Sequence, residues 1–271
     1  MAHEQKKQLV IVTADKGGTG KSTFARALLD YIRRSQIACF AFDGDSRNSQ
    51  LYRHYKDLAP GVERINLTSD EGMDELIDSL PDVNEPLVLI DLPAQGGLSL
   101  EKLQEDAGLL YALEATGFEL TIVSVLTPVK DCVAALKNVL DHYQGSAKYV
   151  AVKNLFFGES EKFVIFDQSN TREQFLKRGG QTITMPSLYP AVFELIDQHN
   201  LTFNEALQNT SVVSLSRRMR LQKWMRTLDA QLEKASSALG LNQVPAQLES
   251  QNNGTQPHTE DHGEIRTNAT S

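Results

Sequence analysis

Short apolar runs of strand length alternate with longer segments of helical periodicity along most of the chain. The clearest runs are continuous and rich in β-branched residues, which is typical of strands buried on both faces of a parallel sheet. Runs of this kind predict strands at residues 9–14, 37–43, 62–67, 87–91, 120–126, 149–152 and 182–186. The alternation predicts an α/β fold, in which a doubly wound, mostly parallel sheet is flanked by helices.

Several segments between the strands place apolar residues three and four positions apart, as a helix with one buried face does. Helices are predicted at residues 22–34, 46–56, 71–80, 98–116, 129–143, 171–178 and 211–239. Ser46 is the expected N-cap of the second helix. The last helix carries its apolar face on Leu221, Trp224, Leu228, Leu232 and Ala235. We expect a single domain over residues 1–240 and a tail at 241–271 that is too polar to fold.

A glycine-rich segment joins the first strand to the first helix. Residues 15–23 read Asp-Lys-Gly-Gly-Thr-Gly-Lys-Ser-Thr. Glycine lets a backbone curl around a phosphate, because it adopts positive φ angles and has no Cβ to obstruct the anion. The following helix directs free N–H groups at the same anion, and Lys21 adds a positive charge beside the β and γ phosphates. Ser22 offers a hydroxyl to a magnesium ion, so the segment predicts a phosphate-binding loop.

Aspartates end two of the predicted buried strands, at Asp43-Gly44-Asp45 and at Asp91. Ligands bind at the carboxyl edge of open parallel sheets, so we expect these carboxylates beside the phosphate loop. A rigidly held Asp91 would bind magnesium through water, and the glycines at 96–97 would allow a loop that senses the γ phosphate. An ordinary turn that holds two acids is the alternative interpretation of Asp43 and Asp45.

Composition narrows the class of protein. The chain has 271 residues, of which 41% are hydrophobic, and no apolar run reaches the eighteen residues that a membrane span needs. The polar first eight residues lack the apolar core of a secretory signal, so a cytoplasmic location is expected. Cys39 and Cys132 do not form a C-x-x-C pair, which argues against a disulfide framework or a zinc site and favours two buried thiols.

The charge is uneven along the chain, although the net charge of −8 argues against a uniformly basic nucleic-acid binder. Residues 212–240 contain six basic and two acidic side chains. A helical projection places most of the basic residues away from the apolar face of the last helix. We define the basic stripe as Arg217, Arg218, Arg220, Lys223 and Arg226. Such a stripe suits non-specific contact with DNA phosphates, and a solvated helix face is the alternative.

The phosphate loop resembles one family in particular. Residues 16–23, Lys-Gly-Gly-x-Gly-Lys-Ser-Thr, resemble the deviant Walker motif of the ParA/MinD superfamily of P-loop ATPases. Asp15 departs from the glycine, asparagine or glutamine usual there, which alters the local charge balance. The Asp43-Gly44-Asp45 segment resembles the family's switch I, and Asp91 with Pro93-Ala94 resembles switch II. The likeness covers roughly residues 8–235.

The resemblance implies an ATPase that uses Mg²⁺ and forms an ATP-dependent homodimer, in which Lys16 reaches the phosphates held by the partner subunit. Lys16, Lys21 and Asp45 would then be catalytic, and an adaptor protein would stimulate a slow hydrolysis of ATP to ADP. The metal ligands implied are Ser22, Asp45 and Asp91. The nucleotide-binding residues implied are Lys16, Gly17, Gly18, Thr19, Gly20, Lys21, Ser22, Thr23, Asn154 and Pro186. Of these, the resemblance implies that Asn154 hydrogen-bonds the adenine ring and that Pro186 lines the base pocket.

Three functions stay open at this point. The first is partition of DNA or positioning of another cargo, and the second is accessory work in plasmid mobilisation, conjugation or stability. The third is that of a metabolic or redox enzyme of the same superfamily, similar to the nitrogenase iron protein or to dethiobiotin synthetase. An iron–sulfur protein needs two thiols per subunit at the dimer axis, whereas Cys39 lies inside a predicted strand. A synthetase needs a substrate pocket, which no sequence feature identifies.

Overall fold

A parallel β-sheet forms the centre of the computed structural model, which describes residues 6–58, 61–94 and 96–242. Within these ranges the sheet has seven strands, and every neighbouring pair is parallel. Strands β1 to β7 are Lys7–Thr13, Cys39–Asp43, Val62–Arg64, Leu87–Asp91, Phe118–Leu126, Lys148–Asn154 and Gln181–Met185. The predicted doubly wound α/β fold is therefore confirmed.

Helices cover both faces of the sheet. Helices α1 to α11 are Lys21–Arg34, Gln50–Tyr55, Asp70–Ser79, Gly96–Glu105, Leu109–Thr116, Lys130–Tyr143, Val164–Asp167, Asn170–Lys177, Pro190–Gln198, Phe203–Gln208 and Leu215–Lys234. Short 3₁₀ turns occupy Leu80–Asp82, Leu155–Phe157 and Ser160–Lys162. None of the helices in the described ranges is long and apolar enough to cross a membrane.

The strand order, β3-β2-β4-β1-β5-β6-β7, positions the candidate site. Strand β1 lies between β4 and β5, so the chain winds outward in both directions from the strand that leads into the phosphate loop. The carboxyl ends of the strands meet at one edge, where Asp43 is in register with Asp91 and Asn154 with Met185. In such sheets the ligand site lies at the point where the winding direction reverses.

Alternating strand residues feed two separate cores, because successive side chains in a strand point to opposite faces. Val10 and Val12 join the core beneath α1, α2 and α9–α11. Leu9 and Ile11 join the core beneath α3–α6 and the 155–178 insert. Burial on both faces explains why these strands are continuous apolar runs.

Several helix predictions were wrong at their boundaries. The predicted helix at 98–116 is two helices, because Gly108 adopts a φ of 66° between them. The helix predicted at 46–56 begins at Gln50 and Ser46 does not cap it, because the Asp45 side chain holds the preceding turn. The last helix covers Leu215–Lys234 instead of 211–239, although its five predicted apolar residues are all buried.

The sequence also left three helices unpredicted: α7 within the 155–178 insert, and α9 and α10. Helices α9 and α10 lie between β7 and α11, where α9 packs against α11 and α10 packs against both α1 and α11. The polar tail predicted at 241–271 lies outside the described residues from 243 onward, while Leu241 is still buried in the first core.

A buried polar cluster links α1, α2 and α9. The guanidinium of Arg26 lies between the rings of Phe193 and Phe203, with centroids 5.8 and 5.1 Å away. His54 approaches Arg26 at 3.2 Å and places Nδ1 2.8 Å from the carbonyl oxygen of Leu201, to which a neutral ring donates. Burial, and to a smaller extent the positive charge of Arg26, lower the pKa of His54 to about 4.

Because of this cluster, we expect the folded protein to lose stability in mild acid. The folded pKa of His54 lies below its ordinary value of 6.5, so as the pH falls from 6.5 toward 4 the unfolded chain takes up a proton that the folded chain refuses. We expect a contribution of about 2 kcal/mol to the stability lost between pH 7.5 and pH 5, measured by urea unfolding. His54→Gln should flatten this pH dependence.

His199→Gln is the matched control for the acid experiment, because His199 is exposed. The groups that face His54 are Arg26, Arg53 and Asp197, and none of them is changed in either variant. Equal pH dependence in the wild type and His54→Gln would contradict the assignment.

Candidate nucleotide site

The segment at 15–23 forms a loop that ends at the start of α1. Gly18 and Gly20 have φ values of 79° and 92°, the left-handed region that glycine enters without strain. All eight residues from Lys16 to Thr23 line a cavity of about 510 Å³. The cavity is also lined by Asp45, Arg47, Asn48, Gln50, Ala94 and Phe193. The predicted phosphate-loop residues are therefore brought together in one concave surface.

A buried ion pair joins the phosphate loop to the end of β4. Lys21 Nζ lies 2.5 Å from Asp91 Oδ1 at the end of β4, and both side chains are almost fully buried. The same Nζ is 3.1 Å from Ser22 Oγ. The second oxygen, Asp91 Oδ2, is buried and has no hydrogen-bond partner among the residues that the structure describes. That oxygen is available to water or to a metal ion.

Asp43 supports the segment that follows β2, a role that sequence reasoning missed. Its Oδ1 accepts a hydrogen bond from the amide of Asp45 at 3.0 Å, and its Oδ2 accepts one from the amide of Tyr52 at 2.9 Å. Burial, and to a smaller extent the negative charge of Asp91, raise the pKa of Asp43 to about 7. The signal available in the sequence was an acid placed at the end of a wholly apolar run.

Asp45 lies on the wall of the phosphate cavity. Its Oδ1 accepts hydrogen bonds from the amides of Arg47 and Asn48 at 3.1 and 3.0 Å. Its carbonyl oxygen accepts from Ser49 Oγ at 2.8 Å. These bonds shape the turn before α2, so Asp45 has a structural task as well as a place beside the cavity.

The donor set suits a hard cation such as Mg²⁺, which prefers oxygen ligands and keeps several waters. Ser22 Oγ and the Asp91 carboxylate converge on Lys21 Nζ, and the unpartnered Asp91 Oδ2 provides a free acceptor. Asp45 lines the phosphate cavity, and within the described residues it forms no hydrogen bond or ion pair with Ser22 or Asp91. Among the described residues no group of three His, Cys, Asp or Glu side chains forms a metal site by itself. A metal here would therefore need the serine, water and phosphate oxygens as further ligands.

A second cavity, of about 300 Å³, adjoins the phosphate cavity. The two share Gly18, Gly20, Thr23 and Phe193 as lining residues. Asn154 and Pro186, the two residues predicted to hold the base, both line it. The remaining lining residues are Phe156, Phe157, Met185, Leu188, Pro190, Glu194 and Trp224. Its mainly apolar wall is the surface that a flat aromatic base requires.

Lys16 lies at the exposed mouth of the loop. Its ammonium forms an ion pair with Asp131 in the first turn of α6, and both side chains are more than half exposed. The hydrogen bond to Asp131 and its negative charge raise the pKa of Lys16. Exposed ion pairs of this kind contribute little to stability, so Lys16 is free to exchange this partner for another anion.

Both cysteines are buried free thiols. Cys39 lies within β2, where burial raises its pKa to about 12. Cys132 lies in the first turn of α6, with Sγ 3.1 Å from Thr127 Oγ1. A cysteine that binds an iron–sulfur cluster shared between two subunits would have to be exposed. Neither of these two thiols is exposed.

The basic stripe is only partly a surface. Arg220, Lys223 and Arg226 are exposed, and the Arg220 guanidinium stacks on the ring of Tyr189 at 4.6 Å. Arg217 and Arg218 are half-buried, because their positions turn toward the apolar face of α11. Three of the five predicted cations therefore remain available for an anionic partner.

The chain is similar to known proteins in both sequence and structure. It is 25% identical over 227 residues to Protein MobD of Acidithiobacillus ferrooxidans, covering 84% of this chain and 97% of MobD. Its structure is similar to a ParA family ATPase of Chlorobium tepidum, with a TM-score of 0.50, 13% identity, and coverage of 83% of this chain and 100% of that one. No family model matches the chain.

A second similar structure is the septum site-determining protein MinD of Pyrococcus horikoshii, solved with Mg-ADP. It has a TM-score of 0.47 and 15% identity, and covers 82% of this chain and 97% of MinD. The likeness to the ParA family ATPase extends over that whole protein, as a shared fold of the complete domain does. The fold that the resemblance of the phosphate loop implied is therefore confirmed: the chain shares the fold of a ParA family ATPase.

Proposed function

We propose that the protein is an ATP-dependent dimerisation switch that hydrolyses ATP to ADP and positions a DNA or protein cargo. One observation carries this proposal: a cavity lined by all eight residues of the deviant Walker motif adjoins an apolar cavity of the size and lining that a base requires. The phosphate loop and the base cavity support the binding of a nucleotide. The exposed position of Lys16 supports its contact with a second subunit.

The residues divide the work of phosphoryl transfer. The loop amides and the N-terminus of α1 would bind the phosphates, and Lys21 would move its charge from Asp91 to the β and γ phosphates. Ser22, Asp91 and Asp45 would hold Mg²⁺, which neutralises the charge on the phosphates when it is bound. Lys16 would leave Asp131 and reach the partner subunit's γ phosphate, where it stabilises the charge of the transition state.

The cargo has two candidates. Partition or positioning of DNA requires a basic surface, which α11 offers at Arg220, Lys223 and Arg226. Accessory work in plasmid mobilisation is favoured by the relative named MobD, whose likeness covers most of both chains. Both use the same nucleotide switch and an adaptor protein, and both place the protein in the cytoplasm.

Replacing Lys21 tests the nucleotide site. Lys21→Ala should abolish ATP binding measured by calorimetry, because the phosphates lose their main charged contact. It should also lower the free energy of unfolding by about 3–5 kcal/mol, because Asp91 would keep a buried charge without its partner.

The double variant Lys21→Ala, Asp91→Asn is the control, because it removes the orphaned charge together with the lysine. Stability should largely return while ATP binding stays absent. ATP affinity equal to that of the wild type in the stable double variant would contradict the assignment.

Replacing Lys16 tests action between subunits. Lys16→Ala should bind ATP normally and lose ATP-dependent dimerisation or hydrolysis, with a rate reduced by roughly 10³-fold or more if Lys16 acts as arginine fingers do. Dimerisation is measured by size-exclusion chromatography with light scattering. Mixing Lys16→Ala with Asp45→Ala, which keeps Lys16 but should not hydrolyse ATP, should restore turnover on the Lys16→Ala subunit. Full activity of Lys16→Ala alone would refute the proposal.

Charge reversal on α11 separates the two cargoes. The triple change of Arg220, Lys223 and Arg226 to glutamate should remove ATP-stimulated DNA binding in a filter-binding assay and leave ATP affinity unchanged. Each lost phosphate contact should reduce the slope of log affinity against log salt by about 0.9. The matched control changes the exposed Lys102, Lys137 and Lys177 to glutamate, which alters the net charge equally at other helices. Absence of ATP-stimulated DNA binding in the wild type would point to a protein cargo.

A further inference from the structure

Asn154 lies at the boundary between the two cavities. It ends β6, is 4% exposed, and lines the base cavity beside Gly18 and Gly20. The family resemblance assigns this asparagine to the adenine ring. The structure shows that its amide group already has two protein partners.

One partner is the phosphate loop. Asn154 Nδ2 donates a hydrogen bond to the carbonyl oxygen of Thr19 at 2.8 Å, inside the buried part of the site. Gly20, the next residue of the loop, also lies close to Asn154, since a Cβ built on Gly20 would lie 2.3 Å from Asn154 Nδ2. The peptide that immediately precedes α1 is thus held against the end of β6 by one side chain.

The other partner is the wall of the base cavity. Asn154 Oδ1 accepts a hydrogen bond from the amide of Phe156 at 3.1 Å, and this bond caps the 3₁₀ turn Leu155–Phe157. That turn presents Phe156 and Phe157 to the base cavity. Behind it, Lys153 points away from the site and forms an ion pair with Asp167 at 2.8 Å, so the insert is fastened beside the same strand end.

We propose that Asn154 is a positioning residue that fixes the phosphate loop and the base-cavity wall relative to each other. The Nδ2 donor of Asn154 holds the phosphate loop at Thr19, and its Oδ1 acceptor holds the aromatic wall of the base cavity at Phe156. An amide can serve both because it carries a donor and an acceptor on one rigid plane. The role rests on the proposed nucleotide function, since it deepens the use of the same site.

The role predicts that Asn154 affects ligands that have no base. Replacement by alanine leaves the buried Thr19 carbonyl without its partner and frees the loop. Affinity for the triphosphate part should then fall about tenfold, as expected for the loss of a buried hydrogen bond. An asparagine that only reads adenine would leave the binding of a bare triphosphate unchanged.

The experiment compares three ligands with Mg²⁺: ATP, inosine triphosphate and inorganic tripolyphosphate. Their affinities for the wild type and Asn154→Ala are measured by displacement of a fluorescent ATP analogue. We expect all three to weaken by the same factor, with the ratio of ATP to inosine triphosphate affinity unchanged. Phe157→Ala is the matched control, since Phe157 lines the base cavity and its apolar side chain cannot form a hydrogen bond with the loop. It should weaken the two nucleotides and spare tripolyphosphate.

Amide hydrogen exchange gives a second readout. Peptides covering residues 16–21 and 155–158 should exchange faster in Asn154→Ala, while those of α3, which follows β3 at the opposite edge of the sheet from β6 and β7, should not change. If the alanine variant does not fold, Asn154→Ser, which retains a polar hydroxyl, replaces it in both measurements.

The outcomes separate the two proposals. Unchanged tripolyphosphate affinity together with a changed ratio of ATP to inosine triphosphate would overturn the positioning role and leave the nucleotide function intact. A wild type that binds neither nucleotide nor tripolyphosphate would overturn the proposed function itself. An equal loss for all three ligands with faster exchange in both peptides supports the positioning role.

Discussion

The ion pair between Lys21 and Asp91 is the constraint on which the rest of the site depends. Two almost fully buried charges at 2.5 Å are stable only together, because either one alone would bear the cost of desolvation without compensation. The pair requires that the first turn of α1 meet the end of β4. The strand order provides this, since β1 leads into the loop and pairs directly with β4.

A second carboxylate sits in register with this pair. Asp43 is opposite Asp91 across β2 and β4, yet its own oxygens accept backbone amides from Asp45 and Tyr52. If Lys21 moves to a phosphate, Asp91 loses its counter-charge in a buried place beside another acid. A divalent cation would restore the balance, so these buried carboxylates favour joint binding of metal and nucleotide.

Local patterns predicted the parts of the site that are local in the chain. The phosphate loop and β4 follow from short continuous segments, and the structure has β4 at the predicted residues. The role of Asp43 and the hydrogen bonds of Asn154 join residues that are far apart in sequence or depend on backbone geometry, so no periodicity reveals them. The break at Gly108 was missed because both flanking segments share helical spacing, whereas a positive φ leaves no trace in that pattern.

Helix α1 joins the candidate nucleotide site to α11, the helix that would face the proposed cargo. Its first residue, Lys21, belongs to the phosphate site, and its last residue, Arg34, forms ion pairs with Asp30 and with Asp229 of α11. Between them, Arg26 packs against Phe193, which lines both cavities. Because the Arg34–Asp229 ion pair joins α1 to α11, the basic residues of α11 are held in place relative to the phosphate cavity. A change in cargo affinity on ATP binding would then arise from pairing two subunits, which doubles the charged surface, and not from movement of α11 within one subunit.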